Sequence, residues 1–342
     1  MRRYLPLILI SVFLLVFLLA GGTYLAGYAN KFNQENQNAI TVYTTLPVEQ
    51  ASALAKTYEQ KSNIPVNIVI LSTSDLLKRL ELERDKPQAD IVLADRTTLD
   101  QVKKLHVLAA YNSEQTDLIP QRFRDATNLW TGLWYDPIVF AVNLDYLKNT
   151  SPVPSKWTDL ANGKSRLAIT DFLASDVSAN ILYALVSARG EKETLNYFKK
   201  IHSQIVQYAK FIATPVRMAG MGEADIGIAP LSEATKYLDD DFPVRIIYPQ
   251  DGSPYLLTGA GLIQGALHNR EARQFLEWLL TDPAQIALLK SKYHVVPTNP
   301  ATHMYKSFAG KKIVLLEKKN LGDAREHQLL DKWVQTVRLN MK

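Results

Sequence analysis

Small hydroxyl residues recur where an apolar stretch gives way to a helical pattern. Thr44 and Thr45 end one such stretch, Ser72, Thr73 and Ser74 follow another, and Ser175 with Ser178 heads a third helical pattern. A helix N-terminus offers free backbone N–H groups and the positive end of the helix dipole. Turns of this kind therefore suit phosphate, phosphonate or carboxylate. Each group alone also fits plain helix capping. Arg217 offers a bidentate contact to an anion, or is an exposed helix charge. Asp95, followed by Arg96, closes a further apolar run. Trp134, Tyr135 and Tyr255 could stack on a ligand or pack in a core. Asp171, Asp176 and Glu223 could in principle pair as general acid and base, but nothing fixes their spacing.

Most catalytic signatures are missing. The chain has no cysteine, which removes disulfides, zinc ribbons, thiol catalysis and a lipid-modified N-terminal cysteine. It has no Walker A loop, no G-x-S-x-G elbow and no H-E-x-x-H helix. Gly259, Gly261 and Gly265 have the wrong spacing for a dinucleotide fingerprint and sit in an apolar strand candidate, so close packing explains them better. The six histidines are scattered without ligand spacing. Asp239–Asp241 reads as a solvated loop, lacking the pattern of a calcium site. The balance favours binding over turnover, with no metal or cofactor expected.

The elements that would position these residues alternate. Strand patterns at 40–44, 65–71 and 90–93 are separated by helical patterns at 49–60 and after Ser74 or Asp75, and another helix is read near 99–105. A second α/β stretch begins near Tyr146, with strands at 166–169, 224–229 and 244–248 and helices at 178–189 and 193–201. Two long apolar segments, 132–143 and 255–265, read as crossings between two lobes. Helices at 270–280, 284–289 and roughly 324–337 are expected to pack back on the first lobe.

The 342 residues carry 39 Lys+Arg and 34 Asp+Glu, and two of the positives are Arg2 and Arg3. So small a surplus does not suggest a nucleic-acid binder. From Tyr4 to Asn30 no residue is charged. The apolar core at 5–22 lies between a signal peptide and a spanning helix in length, and tilts towards an uncleaved anchor. Gly27-Tyr28-Ala29 could serve as a cleavage site. Either way Arg2 and Arg3 stay cytoplasmic and the remainder is exported. Residues 31–39 then form a polar tether.

The order of segments resembles the extracellular solute-binding proteins of ABC importers, in the branch that holds ferric-iron, phosphonate and hexose-phosphate binders. ITVYTTLPVEQASALAKTYEQ looks like the family opening, and NLWTGLWYDPIVFAVN like its crossing strand. GMGEADIGIAPLSEATKY resembles the strand and helix that line the cleft, and the likeness runs from about residue 40 to 301. It implies an α/β, type II periplasmic-binding-protein fold of two lobes, preceded by an N-terminal hydrophobic helix and closing on a ligand by a hinge. The implied division is 1–30 signal or anchor, 40–140 with 260–342 as lobe 1, and 141–259 as lobe 2. A monomer that hands its solute to an ABC permease is implied, with no enzymatic activity. A ligand-sensing role beside a membrane histidine kinase is the alternative.

Departures from the family pattern bear on the ligand. Ferric binders commonly carry an adjacent Tyr-Tyr pair where this chain reads Ala229-Pro230-Leu231-Ser232, and often a His where it reads Leu46-Pro47. An organic anion is therefore expected, with ferric iron as a further alternative. The family often has Ser-Ser-Gly-Thr where Ala174-Ser175-Asp176-Val177 stands here. Asp176, with Asp171, would cap the helix or bind an amine or sugar hydroxyl.

Overall fold

A computed structural model describes residues 39–319 and 321–339. The expected signal or anchor, with most of its tether, lies outside the described residues. Among the described residues no helix is long and apolar enough to cross a membrane.

The first three strands are β1 (Ile40–Thr44), β2 (Val66–Ile70) and β3 (Ile91–Asp95). They form a parallel ladder, with β1 between the other two. The helices between them are α1 (Val48–Ser62) and α2 (Thr73–Leu82), and α3 (Arg96–Lys104) follows β3 directly. Helix α1 buries Ala51, Leu54, Ala55 and Tyr58 along one stripe. It stops at Asn63, whose left-handed φ of 58° ends helices readily. Helix α2 is capped by Ser72, earlier than the Ser74 or Asp75 expected from sequence.

A short β4 (Leu108–Ala109) and α4 (Glu114–Leu118) lead to β5 (Thr131–Asn143). Then come α5 (Leu144–Lys148), α6 (Trp157–Asn162), β6 (Leu167–Thr170), α7 (Asp176–Arg189) and α8 (Glu191–His202). Next are β7 (Ile205–Ala209), α9 (Thr214–Gly220), β8 (Ile226–Pro230), α10 (Leu231–Asp239) and β9 (Val244–Ile247). The chain closes with β10 (Tyr255–Ile263), α11 (Asn269–Leu279), α12 (Asp282–Lys290), β11 (Val296–Pro297), α13 (His303–Phe308) and α14 (Asp323–Trp333).

Strand order is β2-β1-β3-β10-β5-β8-β6-β7, with β4 beside β10 and both β9 and β11 beside β5. Strand β5 joins the two halves. It pairs antiparallel with β10 up to Pro137 and with β8 from Ile138 onward. The return passage comes just before β10, where the Ile138 N–H donates to the Pro254 carbonyl at 2.8 Å. Gly259 and Gly261 let β10 approach its neighbours. A Cβ on Gly259 would meet the Thr131 carbonyl at 2.7 Å, and one on Gly261 the Leu129 carbonyl at 2.9 Å. The close-packing reading holds for Gly259 and Gly261; Gly265 lies past β10 in a turn with a φ of 73°, where a Cβ would meet only Pro87 at 3.9 Å.

Two large apolar clusters form most of the core, with a small third one at Ala168, Met218 and Ala224. The larger holds β1, β3, α1, α11 and α12, with Tyr58 edge-on to Phe275 at 4.8 Å. The second holds β6, α7 and α8. Helix α14 was expected on the first lobe, and the structure corrects this. Leu329 and Trp333 of α14, and Val337 in the π-helical turn Val334–Arg338 that follows it, are buried in the second cluster, with the Trp333 ring 4.8 Å from Phe172. The preceding segment makes a third passage between the halves: Ile313 and Leu315 touch the first cluster and Leu316 the second.

Candidate functional site

The registers bring together the C-terminal ends of two opposed sets of three parallel strands, β1–β3 and β6–β8. Thr44 pairs with Ile70 in β2 and with Leu93 in β3. Asp95 faces Thr258, and Tyr255 faces Pro137. On the other half Ile138 faces Pro230, Ile169 faces Ile228, and Thr170 faces Ala209. The turns after β1, β2 and β3 thus look across β5 and β10 at the turns after β6, β7 and β8. Open α/β sheets bind ligands at such carboxyl ends, where strand order reverses.

The hydroxyl turns reach this region, but their groups serve mostly as caps. Thr44 is fully buried; its hydroxyl donates to the Leu93 carbonyl at 2.6 Å and accepts from Leu46 N–H. Thr45 is half-buried in the same turn. Ser72 accepts from the Asp75 N–H and bonds Ser74. Thr73 meets Thr98 at 3.2 Å, tying the head of α2 to that of α3. Ser175 caps α7 by accepting from Ser178 N–H, and the Ser178 hydroxyl donates to the Asp171 carbonyl at 2.7 Å. Asp176 is exposed in the first turn of α7.

The acids of this region are already engaged. Asp95 accepts from the Thr98 N–H and hydroxyl. Asp171 accepts from Leu173 N–H and pairs with Arg338 at 3.0 Å. Arg338 itself lies over the Tyr208 ring at 4.2 Å. On β5, Asp136 accepts from the Ser232 N–H at 3.0 Å and from its hydroxyl at 2.5 Å, so it occupies the head of α10. Burial pushes Asp136 up to about 7, against the lowering effect of the two Ser232 bonds.

Four further expected contacts have partners within the chain. Arg217 points away, because α9 runs from the end of β7 back to the start of β8; its guanidinium stands 3.8 Å from Glu223. Trp134 is a core residue, 1% exposed. Tyr135 is buried too, stacked on Phe123 at 5.3 Å, and burial pushes its phenol up to about 12. Tyr255 sits edge-on to both rings and donates to Glu317 at 2.7 Å. Burial and then Glu317 raise its phenol above the ordinary tyrosine range. Among the described residues no cluster of three or more His, Asp or Glu could hold a metal ion.

Arg96, the first residue of α3, differs from these neighbours. Its guanidinium lies 3.6 Å from Glu317 and 4.0 Å from Asp100, both beyond hydrogen-bond distance, and over Trp130. Sequence reading reached Arg96 only as the neighbour of Asp95. It missed Asp136, although a lone acid in an otherwise apolar strand is a usable signal. It missed Glu317 entirely, since nothing local sets that residue apart.

A family model described as bacterial extracellular solute-binding protein matches residues 40–293. A putative 2-aminoethylphosphonate-binding periplasmic protein of Salmonella typhi is 25% identical over 61% of this chain and 63% of its own length. Iron uptake protein A1 of a Synechocystis species is 23% identical over 80% of this chain and 81% of its own. Among solved structures, the periplasmic binding protein AfuA of Actinobacillus pleuropneumoniae with fructose-6-phosphate bound superposes with a TM-score of 0.69. It is 25% identical, covering 88% of this chain and 99% of that one.

Proposed function

The chain belongs to the bacterial extracellular solute-binding proteins, the periplasmic components of ABC importers, and from that premise we propose that its solute is a small organic anion such as a phosphonate or sugar phosphate. The family binds small molecules and delivers them to an ABC permease, and its homologues are periplasmic. One observation carries the choice of an anion. Asp95, Asp136 and Asp171 are each bound by donors of the chain itself, whereas the Arg96 guanidinium makes no hydrogen bond among the described residues. Arg96 is thus the cation at the strand ends held most loosely, by Glu317 and Asp100 alone among the described carboxylates. Heads of α2, α3 and α7 in the same region add dipoles of the same sign. The phosphonate and fructose-6-phosphate relatives are consistent with this reading.

Ferric iron is the second reading, favoured by the relationship to iron uptake protein A1. Tyr135 and Tyr248, both near β5, are pushed up to about 12, chiefly by burial, so phenolate ligands would need the metal to form. Titration calorimetry of the purified chain with 2-aminoethylphosphonate, fructose 6-phosphate and ferric citrate separates the two. Saturable heat from a phosphorus compound supports the anion reading. Binding of ferric iron alone, with a visible tyrosine-to-iron absorption band, refutes it.

The reading places residues 1–30 as export signal or anchor and the protein as a monomer beside its permease. An uncleaved anchor suits the alternative, a ligand-sensing role beside a membrane histidine kinase.

A further inference from the structure

Glu317 lies beyond the 40–293 span of the family match, in the passage that leads to α14. Its backbone neighbourhood is fixed. Leu316 N–H donates to the Ser253 carbonyl at 2.9 Å, and Lys319 N–H donates to the Ser187 hydroxyl of α7 at 3.1 Å. Between them the Lys318 ammonium sits over the Tyr183 ring of α7 at 4.9 Å. Glu317 is thus held against the second half, while its carboxylate faces Arg96 of the first. It receives the Tyr255 hydroxyl at 2.7 Å and stands 3.6 Å from the guanidinium. Both charged side chains remain partly open to solvent, 37% for Arg96 and 46% for Glu317.

The neighbouring pair behaves differently. Arg338 and Asp171 are 3.0 Å apart, with Asp171 more buried than Glu317 and Arg338 stacked on Tyr208. That pair is a structural clasp for the end of the chain. Arg96 and Glu317 are opposed without a hydrogen bond, so Arg96 exchanges partners at small cost, while Glu317 gives up the bond from the Tyr255 hydroxyl when it leaves.

We infer that Arg96 is the anion contact of the first lobe and that Glu317 is its resident occupant, a carboxylate of the chain standing where the ligand anion comes to rest. The inference rests on the anionic-solute reading. A phosphate or phosphonate offers Arg96 two oxygens in bidentate geometry and more charge than one carboxylate. It displaces Glu317, which turns to solvent on a backbone that need not move. A monocarboxylate offers no more than Glu317 already does, and its gain is correspondingly small. Because the competitor is tethered, it acts at a high local concentration and scales down the apparent affinity of every anion. The Tyr255 hydroxyl is freed at the same step, so the reading also gives a donor to the incoming anion.

The test is titration calorimetry of the purified full-length chain with fructose 6-phosphate, 2-aminoethylphosphonate and acetate, using Arg96→Gln, Glu317→Gln and the double variant. Thermal melting first shows that each variant is folded. For the phosphorus compound that the wild type binds, Glu317→Gln tightens binding by about fivefold or more, the range of typical coupling between sites. Arg96→Gln weakens it by about tenfold or more, the loss of a charged hydrogen-bond donor. The double variant binds as weakly as Arg96→Gln alone. Acetate gains by the same factor, because a tethered competitor scales every anion of the site alike, so the selectivity ratio is unchanged. Unchanged or weaker phosphorus-compound binding by Glu317→Gln overturns the inference while leaving the anion reading intact. A wild type that binds only ferric citrate overturns the anion reading itself.

Discussion

Substituting Asp136 by asparagine gives a stability change whose sign depends on pH. The carboxylate lies on the strand that joins the two halves, accepts two bonds from Ser232, and is pushed up to about 7 by burial. Its ordinary value is 3.8. Below that value native and unfolded chains are both protonated there, and the site imposes no penalty. As pH rises from about 4 to about 7 the unfolded chain loses its proton first. The native state then holds more protons, so stability falls with rising pH. Above 7 both states are ionised and the whole penalty stands. The span is roughly 3 pH units at about 1.4 kcal/mol each, on the order of 4 kcal/mol. Asparagine removes the charge and can keep both contacts, its oxygen accepting from Ser232 N–H and its amide donating to the hydroxyl. Urea unfolding followed by tryptophan fluorescence at pH 5, 7 and 8.5 measures the difference. The advantage of Asp136→Asn over wild type is expected to grow by about 2–3 kcal/mol between pH 5 and 8.5. An advantage that does not change with pH, or a variant less stable at pH 8.5, refutes the assignment of a strained carboxylate.

Gly227→Ala in β8 would place a Cβ 2.2 Å from the Pro215 carbonyl oxygen, a backbone atom that cannot turn aside. A loss of about 2 kcal/mol or more is expected by denaturant midpoint, the usual result of overpacking. Trp333→Ala removes a fully buried ring that meets Phe172 at 4.8 Å and Tyr208 at 5.7 Å. About 3–5 kcal/mol is expected to be lost, and limited proteolysis should then cut ahead of α14 while the remainder stays protected.

The parts of the fold that sequence revealed are those set by local pattern. Strand β5 was legible because its apolar run is too long for one lobe, and the glycines of β10 because their spacing suited no phosphate. Strand β7 was not read; with Val206 and Gln207 exposed it has no buried alternation to betray it. Helix α14 shows why pattern stops short of topology. Leu329, Trp333 and Val337 announce a face that must be covered. They do not say by what, and Phe172 and Tyr208 supply the answer only once the chain has crossed back to the second half.

The site was harder to read for a related reason. A serine or threonine at the head of a helix has one chemistry whether it serves its own backbone or a ligand. Thr44, Ser72 and Ser175 all turned out to bond their own chain first. Charged residues carry more information, because a buried or half-buried charge must be answered by something specific. Asp171 is answered by Arg338, Asp136 by Ser232, and Asp95 by Thr98. Arg96 is answered least well, by Glu317 at 3.6 Å, and the partner comes from more than two hundred residues further along the chain. No local window contains that pair. What distinguishes the proposed binding position is therefore which charge its neighbours leave incompletely satisfied, a property that exists only after folding has brought α3, β10 and the passage before α14 to the same place.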